Sequence, residues 1–298
     1  MRTQTCPKLP TLDLQSLVAS ADLPTMPAAT VRLLRLGGNR DATVDQIAEI
    51  VATDPKLAAR VLSMANSAEN YRGNAITTIP RACAHIGMRQ IRSLALTLHL
   101  FSFEQPAGGM DFDYARFWRY SLTSATAAKL LAGQLRTADP EEAYVVGLLQ
   151  DLGVLVLHRS DAKGYAEVRR AKALSNIRLY QQETELLGYN HADVGAAFAA
   201  QWSLPVTIGR AIRNSHTPGS DPLSTLAFLA DQVHTAIFDH NAMAETDAIN
   251  TLHRALNGDL IVLARMQIEL PIIAEACNCP HWNDEVIERL KQRIAELL

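Results

Sequence analysis

Asp151 is a lone carboxylate in an otherwise apolar run, Ala143-Tyr144-Val145-Val146-Gly147-Leu148-Leu149-Gln150-Asp151-Leu152-Gly153. A carboxylate among such neighbours is costly unless hydrogen bonds or an opposite charge accompany it. The residue therefore predicts a partner within the folded chain, either a polar side chain or a metal. The preceding Gln150 offers a carboxamide, a poor metal ligand beside imidazole or carboxylate. A second group with possible chemistry is Cys277-Asn278-Cys279-Pro280-His281. Thiolates and imidazole suit zinc, but its ligand pairs are usually separated by two to four residues and four donors are needed. Here the gap is a single residue and no fourth ligand is evident, so these read as free thiols in a loop at a helix end. With Cys6 and Cys83 they do not form the spacing of a disulfide framework, which fits a reducing compartment.

Two basic groupings could meet nucleic acid. The segment Val44–Asn66 reads as two short helices broken at Thr53-Asp54-Pro55, the outline of a helix-turn-helix. A base-reading helix needs exposed polar side chains along it. Lys56, Arg60, Ser63 and Asn66 are a thin supply, and the pair reads better as a hairpin packed into a helical core. Arg81, Arg89 and Arg92 read as a solvated face. The net charge of −3 and pI near 6.3 give no global basic excess.

The elements that must position these groups are helical. Of the 298 residues, 48% are hydrophobic, dominated by the helix formers Ala and Leu, and alternating β-branched runs are missing. An all-α protein is expected. Asp54 and Asp139 are each followed by proline, the pattern of an N-cap and first helical residue. Thr25 before Pro27, Thr43 or Asp45, and Asn190 are further caps. Gly37-Gly38-Asn39 ends one helix and Gly87 breaks another. Helices are expected over Tyr114–Leu135, from Asp139 through Gln150-Asp151, over Tyr165–Leu174, Ile177–Leu187 and His191–Gln201, and after Pro205. Trp202 reads as a core anchor, and Ile287, Leu290, Ile294 and Leu297 form a stripe on a last helix. Gln105-Pro106-Ala107-Gly108-Gly109 is the clearest linker. The organisation read from this is a tail over 1–20, an N-terminal helical subdomain over 21–104, a second helical subdomain over 110–220 and a C-terminal helical extension over 221–298. No apolar run reaches the ~18–20 residues that span a bilayer, and residues 1–10 do not resemble a signal peptide, so a cytoplasmic protein without membrane association is expected.

Six segments in order resemble the HDOD family, a non-catalytic relative of HD-type metal phosphohydrolases in bacterial signalling. They are LPTMPAATVRLLRL (23–36), IVATDPKLAARVLSMANSA (50–68), AITTIPRACAHIGMRQIRSLAL (75–96), FWRYS (117–121), GLLQDLG (147–153) and LLGYNHADVGAAFAAQWSLP (186–205). The likeness covers roughly residues 15–220 and implies a multi-helix HD-like bundle. It also implies where the metal ligands of the hydrolases would fall: Tyr120, the dyad Gln150-Asp151, His191, the Ser215-His216 pair and Asp231. Tyr120, Gln150 and Ser215 replace expected imidazoles, while Asp151, His191, His216 and Asp231 remain. A divalent metal needs several converging donors, so no bound metal, cofactor or catalytic residue is expected, and these positions are expected to be vestigial. Asp151 then reads as hydrogen-bonded or ion-paired in the bundle, His191 as fixing a helix start, His216 as a polar surface residue in a loop and Asp231 as a buried partner for one of the histidines. The implied function is non-enzymatic signal transduction by protein–protein contact, with partners among signalling proteins of two-component or cyclic-dinucleotide pathways and a second copy of the chain. The alternatives are a metal-dependent phosphohydrolase acting on a nucleotide or cyclic dinucleotide, a nucleic-acid-binding regulator built on the 43–66 pair, and a small-ligand sensor.

Overall fold

The computed structural model describes residues 26–36, 42–67, 75–101, 112–173, 177–202, 204–217, 221–238 and 242–255, with a few isolated positions besides. Every regular element among the described residues is an α-helix. Most of the tail 1–20, Thr25, Gly37-Gly38-Asn39, the Gln105–Gly109 linker, the Cys277–His281 group and the stripe from Ile287 to Leu297 lie outside them.

The first five helices are α1 (Ala28–Leu36), α2 (Val44–Ala52), α3 (Pro55–Ala65), α4 (Ile79–Ile86) and α5 (Met88–Phe101). Local side-chain chemistry sets their ends. Thr43 and Gln46 close a capping box on α2. The Asp54 carboxylate accepts from the amides of Lys56 and Leu57, with Pro55 opening α3. Gly87 separates α4 from α5 at φ +87°, a conformation that costs glycine little. Leu33, Ile47, Val51, Leu57, Val61 and Ile91 bury into one apolar cluster. The α2–α3 pair thus spends its apolar faces on a core. Asn66 is spent as well: its carboxamide donates to the carbonyls of Leu62 and Ile76 and accepts from the Ile76 amide, each at 2.8 Å.

The second cluster is built from α6 (Tyr114–Leu135), α7 (Pro140–Leu149), α8 (Leu152–Ser160), α9 (Ala162–Ala173), α10 (Leu179–Leu187), α11 (His191–Gln201), α12 (Val206–Arg213), α13 (Pro222–Phe238) and α14 (Ala242–Ala255). Helix α6 is its axis. Ala125, Ala127, Ala128 and Ala132 on α6 are buried, and α7 and α13 pack against this small-residue surface. Asp139 caps α7 by accepting from the Glu141 and Glu142 amides and pairs with Arg89 of α5. Helix α5 joins the two clusters: Leu94 and Ala95 belong to the first, Leu96 and Leu100 to the second. Trp202 ends α11 and packs edge-on against Phe198 with ring centroids 4.7 Å apart.

Helices α8 and α11 cross backbone on backbone. A Cβ on Gly153 would overlap the His191 carbonyl oxygen and lie 2.9 Å from the Gly195 amide nitrogen. Neither obstacle is the end of a flexible side chain. Gly153→Ala is therefore expected to destabilise the protein by about 1–3 kcal/mol or more through overpacking. Gly133→Ala, at an exposed position in α6 where a Cβ meets nothing within 4 Å, is expected to be neutral or to stabilise by up to ~1 kcal/mol. Urea unfolding of the two variants checks both, and equal stabilities would remove the crossing as a constraint.

Candidate functional site

The helix from Asp139 does not continue through Asp151 as the sequence suggested. Helix α7 ends at Leu149 with Gln150 as its C-cap, and Asp151 occupies the N-cap position of α8. The turn lets α8 depart toward α11 and places Asp151 against the first residue of that helix. Helix α11 starts where Asn190 accepts from the amides of Ala192 and Asp193 at 2.9 and 3.1 Å. His191 is thus held at a helix start, as expected.

Glu183 of α10 orients the His191 ring. Its side chain is fully buried, and one oxygen accepts the His191 backbone N–H at 2.8 Å and sits 2.5 Å from Nδ1. The other accepts the Tyr165 hydroxyl at 2.5 Å. With Nδ1–H committed to Glu183, Nε2 faces the remaining groups. It lies 3.5 Å from Asp151 Oδ1 and 2.7 Å from His216 Nε2. His216 comes after α12 in the chain and is not the surface residue that the sequence suggested: its side chain is 9% exposed, because it packs against Tyr180 and His191. Its ring stacks flat on Tyr180, centroids 4.5 Å apart and planes within 4°, and its Nδ1 lies 3.7 Å from Asp231 Oδ1 on α13. A polar chain, Tyr165–Glu183–His191–His216–Asp231, therefore crosses the bundle with Asp151 beside its middle.

Burial works against every charge here, and pairing overrides it at His191, Asp151 and Asp231. For His191 burial disfavours the imidazolium, but Glu183 and Asp151 outweigh it and raise the ring to about 10. For Asp151 burial would raise the carboxyl, but His191, followed by His234 and His216, holds it well below its usual range. Asp231 is lowered in the same way by His216 and Arg178 against burial. His234 goes the other way: burial outweighs Asp151 and Asp231 and pushes it down.

Of the seven sequence-derived positions, Tyr120, Asp151, His191, His216 and Asp231 line one cavity of about 530 Å³. Gln150 and Ser215 do not line it. Both are wholly buried, and neither side chain has a hydrogen-bond partner among the described residues. Tyr120 bonds through its hydroxyl to Arg116. Sequence reading missed Glu183, Tyr165 and His234. His234 carried a faint signal, one turn after Asp231 on the same helix; its ring sits 4.4 Å from that of Tyr120. Nothing in the local sequence marks Glu183 as buried. Asp151, His191 and His216 each present a donor atom, all within 4.8 Å of one another. That set would admit one divalent ion, with Glu183 as the outer carboxylate that orients a metal-binding imidazole.

Known proteins agree with this architecture. The HDOD domain profile matches residues 23–218. A candidate phosphohydrolase from Shewanella amazonensis SB2B has a crystal structure similar to this one, with TM-score 0.66, 26% identity, and coverage of 95% of this chain and 98% of that one. An HDOD domain protein of unknown function from Geobacter sulfurreducens shares the fold at TM-score 0.65 and 23% identity, over 95% of this chain and 98% of its own. An uncharacterised protein of Treponema pallidum is 25% identical over 217 residues, 70% of this chain but 41% of that protein, so the chain spans less than half the length of that relative.

The buried charges make stability depend on pH. His191 is raised from an unfolded value of 6.5 to about 10, so its stabilisation is fully present below 6.5 and is lost as pH rises through 10. On chelator-treated protein the melting temperature should fall between pH 7 and pH 10, and His191→Gln should lower it at neutral pH and flatten that limb. An alkaline limb of equal depth in the variant contradicts the pairing. Gln150→Met removes an unbonded buried amide at similar volume, so stability should stay level or rise by about 1 kcal/mol. A loss of ~1–3 kcal/mol in thermal denaturation would mean the amide is bonded in the folded protein.

Proposed function

The chain belongs to the HDOD domain family, and we propose that it acts there as a regulatory binding protein in signal transduction rather than as a phosphohydrolase. One observation carries this reading: at the hydrolase dyad position the Gln150 carboxamide is buried outside the cavity, so Asp151 is the dyad's only donor. Tyr120, at another ligand position, is engaged with Arg116. Of the four donors that remain, three converge, and Asp151, His191 and His216 would hold a single divalent ion, which would supply Lewis-acid polarisation of a phosphoryl oxygen. What the chain's own residues do is different. Glu183 fixes the His191 ring, His191 neutralises Asp151 from inside, and His216 engages Asp231. The result is a self-compensated polar site suited to hold a ligand or a fixed conformation.

Output of the signal, on this reading, is contact of helical surfaces with another signalling protein, from a two-component or cyclic-dinucleotide pathway, or with a second copy of the chain. No described helix is long and apolar enough to cross a membrane, and a cytoplasmic setting is part of the proposal. The converging donor set, with Glu183 behind His191, favours one competing reading, a single-ion phosphohydrolase.

Elemental mass spectrometry on protein purified without chelator or affinity-tag metal separates the two. The expected result is metal well below one equivalent, with no cleavage of a bis-aryl phosphodiester when manganese is added. About one equivalent of iron, manganese or zinc, lost together with phosphodiester cleavage in Asp151→Ala, would overturn the proposal.

A further inference from the structure

We infer that the cavity is a binding site for a small planar aromatic anion, a ring carrying a phosphoryl or carboxylate group. The inference rests on the reading of the site as a binding rather than a hydrolytic centre and adds the chemical class of its ligand.

Arg116, Arg169, Lys172 and Arg178 line the cavity, against the carboxylates Asp113, Asp151 and Asp231. The carboxylates are already committed. Asp151 faces His191 at 3.5 Å and Asp231 faces His216 at 3.7 Å. Asp113 caps α6, accepting from the Arg116 amide at 2.8 Å. The cations come from separate segments and converge. Arg169 and Lys172 lie one turn apart on α9 and share a face. Arg178 precedes α10, and its Nη1 donates to Thr235 Oγ1 on α13 at 2.7 Å, which fixes the guanidinium across the cavity. Guanidinium groups match carboxylate and phosphoryl oxygens with paired N–H donors, and the lysine adds a point charge.

The apolar lining gives the second half of the ligand. Phe117, Tyr120, Tyr180 and Phe238 line the same space. Two lining guanidiniums already lie over ring faces, Arg116 over Tyr120 at 5.0 Å and Arg169 over Phe112 at 5.3 Å, so cations and rings alternate around the wall. A volume of about 530 Å³ falls within the ~300–1,000 Å³ of small-molecule sites. It is far larger than an inorganic anion needs. A planar ring placed among these side chains meets aromatic faces, and its anionic substituent meets the guanidiniums.

The test is isothermal titration calorimetry on the full chain, with phenyl phosphate, benzoate and cyclohexyl phosphate as probes. The expected result is binding of phenyl phosphate, benzoate or both, with cyclohexyl phosphate weaker than phenyl phosphate. Phosphate over benzoate, or the reverse, identifies the anionic group. Arg178→Ala and Lys172→Ala, on different segments, should each weaken binding roughly tenfold or more, with helical circular dichroism retained in at least the Lys172 variant. Arg170→Ala, an exposed neighbour that does not line the cavity, should leave affinity unchanged. No heat with either aromatic probe overturns the inference, as does equal affinity for cyclohexyl and phenyl phosphate. Release of phenol from phenyl phosphate would sink the non-hydrolytic reading while leaving the ligand class standing, so the two failures are distinguishable.

Discussion

The approach of α8 to α11 at Gly153 and Gly195 is the constraint on which the site depends. Two helices normally keep a side-chain layer between their axes. Here the Gly153 position has no room for a methyl group beside the His191 carbonyl. That proximity brings Asp151, at the N-cap of α8, within 3.5 Å of the first ring of α11. A wider crossing would leave the partly buried Asp151 without its cation, which is costly in a half-desolvated setting. The apolar frame makes the close crossing rigid. Gly195 in turn meets Ile212 of α12, so α8, α11 and α12 are locked in series, and His216 is delivered by the turn at the end of α12.

Glu183 is the second determinant, and it acts through saturation. A fully buried carboxylate survives because three donors converge on it: the Tyr165 hydroxyl, the His191 amide and the His191 Nδ1–H. In satisfying Glu183, the protein fixes which nitrogen of His191 carries the inner proton and which faces the cavity. The position of the ring, its charge and the low affinity of Asp151 for protons therefore have one cause. His191 therefore lies between two carboxylates, Glu183 at Nδ1 and Asp151 at Nε2.

The fold was largely legible and the site only partly so, for physical reasons. Helix starts at Thr43, Asp54, Asp139 and Asn190 were readable because capping is a local interaction between residues two or three apart. The same holds for the break at Gly87. Convergence of Asp151, His191, His216 and Asp231 came from family resemblance, and the fold brings all four to one cavity. The turn at Gln150-Asp151 was missed because hydrophobic pattern does not distinguish one long apolar helix from two joined at an angle. Glu183 was missed because burial of a charged residue is decided by partners distant in sequence, here Tyr165 and His191. Its flanking residues read as an ordinary polar helix face.

Tyr120, Gln150 and Ser215 spend their polar groups in different ways. Gln150 and Ser215 are wholly buried without a bonded partner among the described residues, a state worth about 1–3 kcal/mol against the fold for each group. Tyr120 took another course: its ring joined His234 and Phe238 on the cavity wall, and its hydroxyl took up Arg116. In the present site the Asp151 carboxylate faces His191 and that of Asp231 faces His216, while Arg116, Arg169, Lys172 and Arg178 line the same cavity. Paired carboxylates and lining cations thus meet in one cavity. The Glu183 carboxylate holds the His191 ring between itself and Asp151, whereas the lining cations come from other segments, α6, α9 and the residue before α10, so the two halves of the arrangement are set independently.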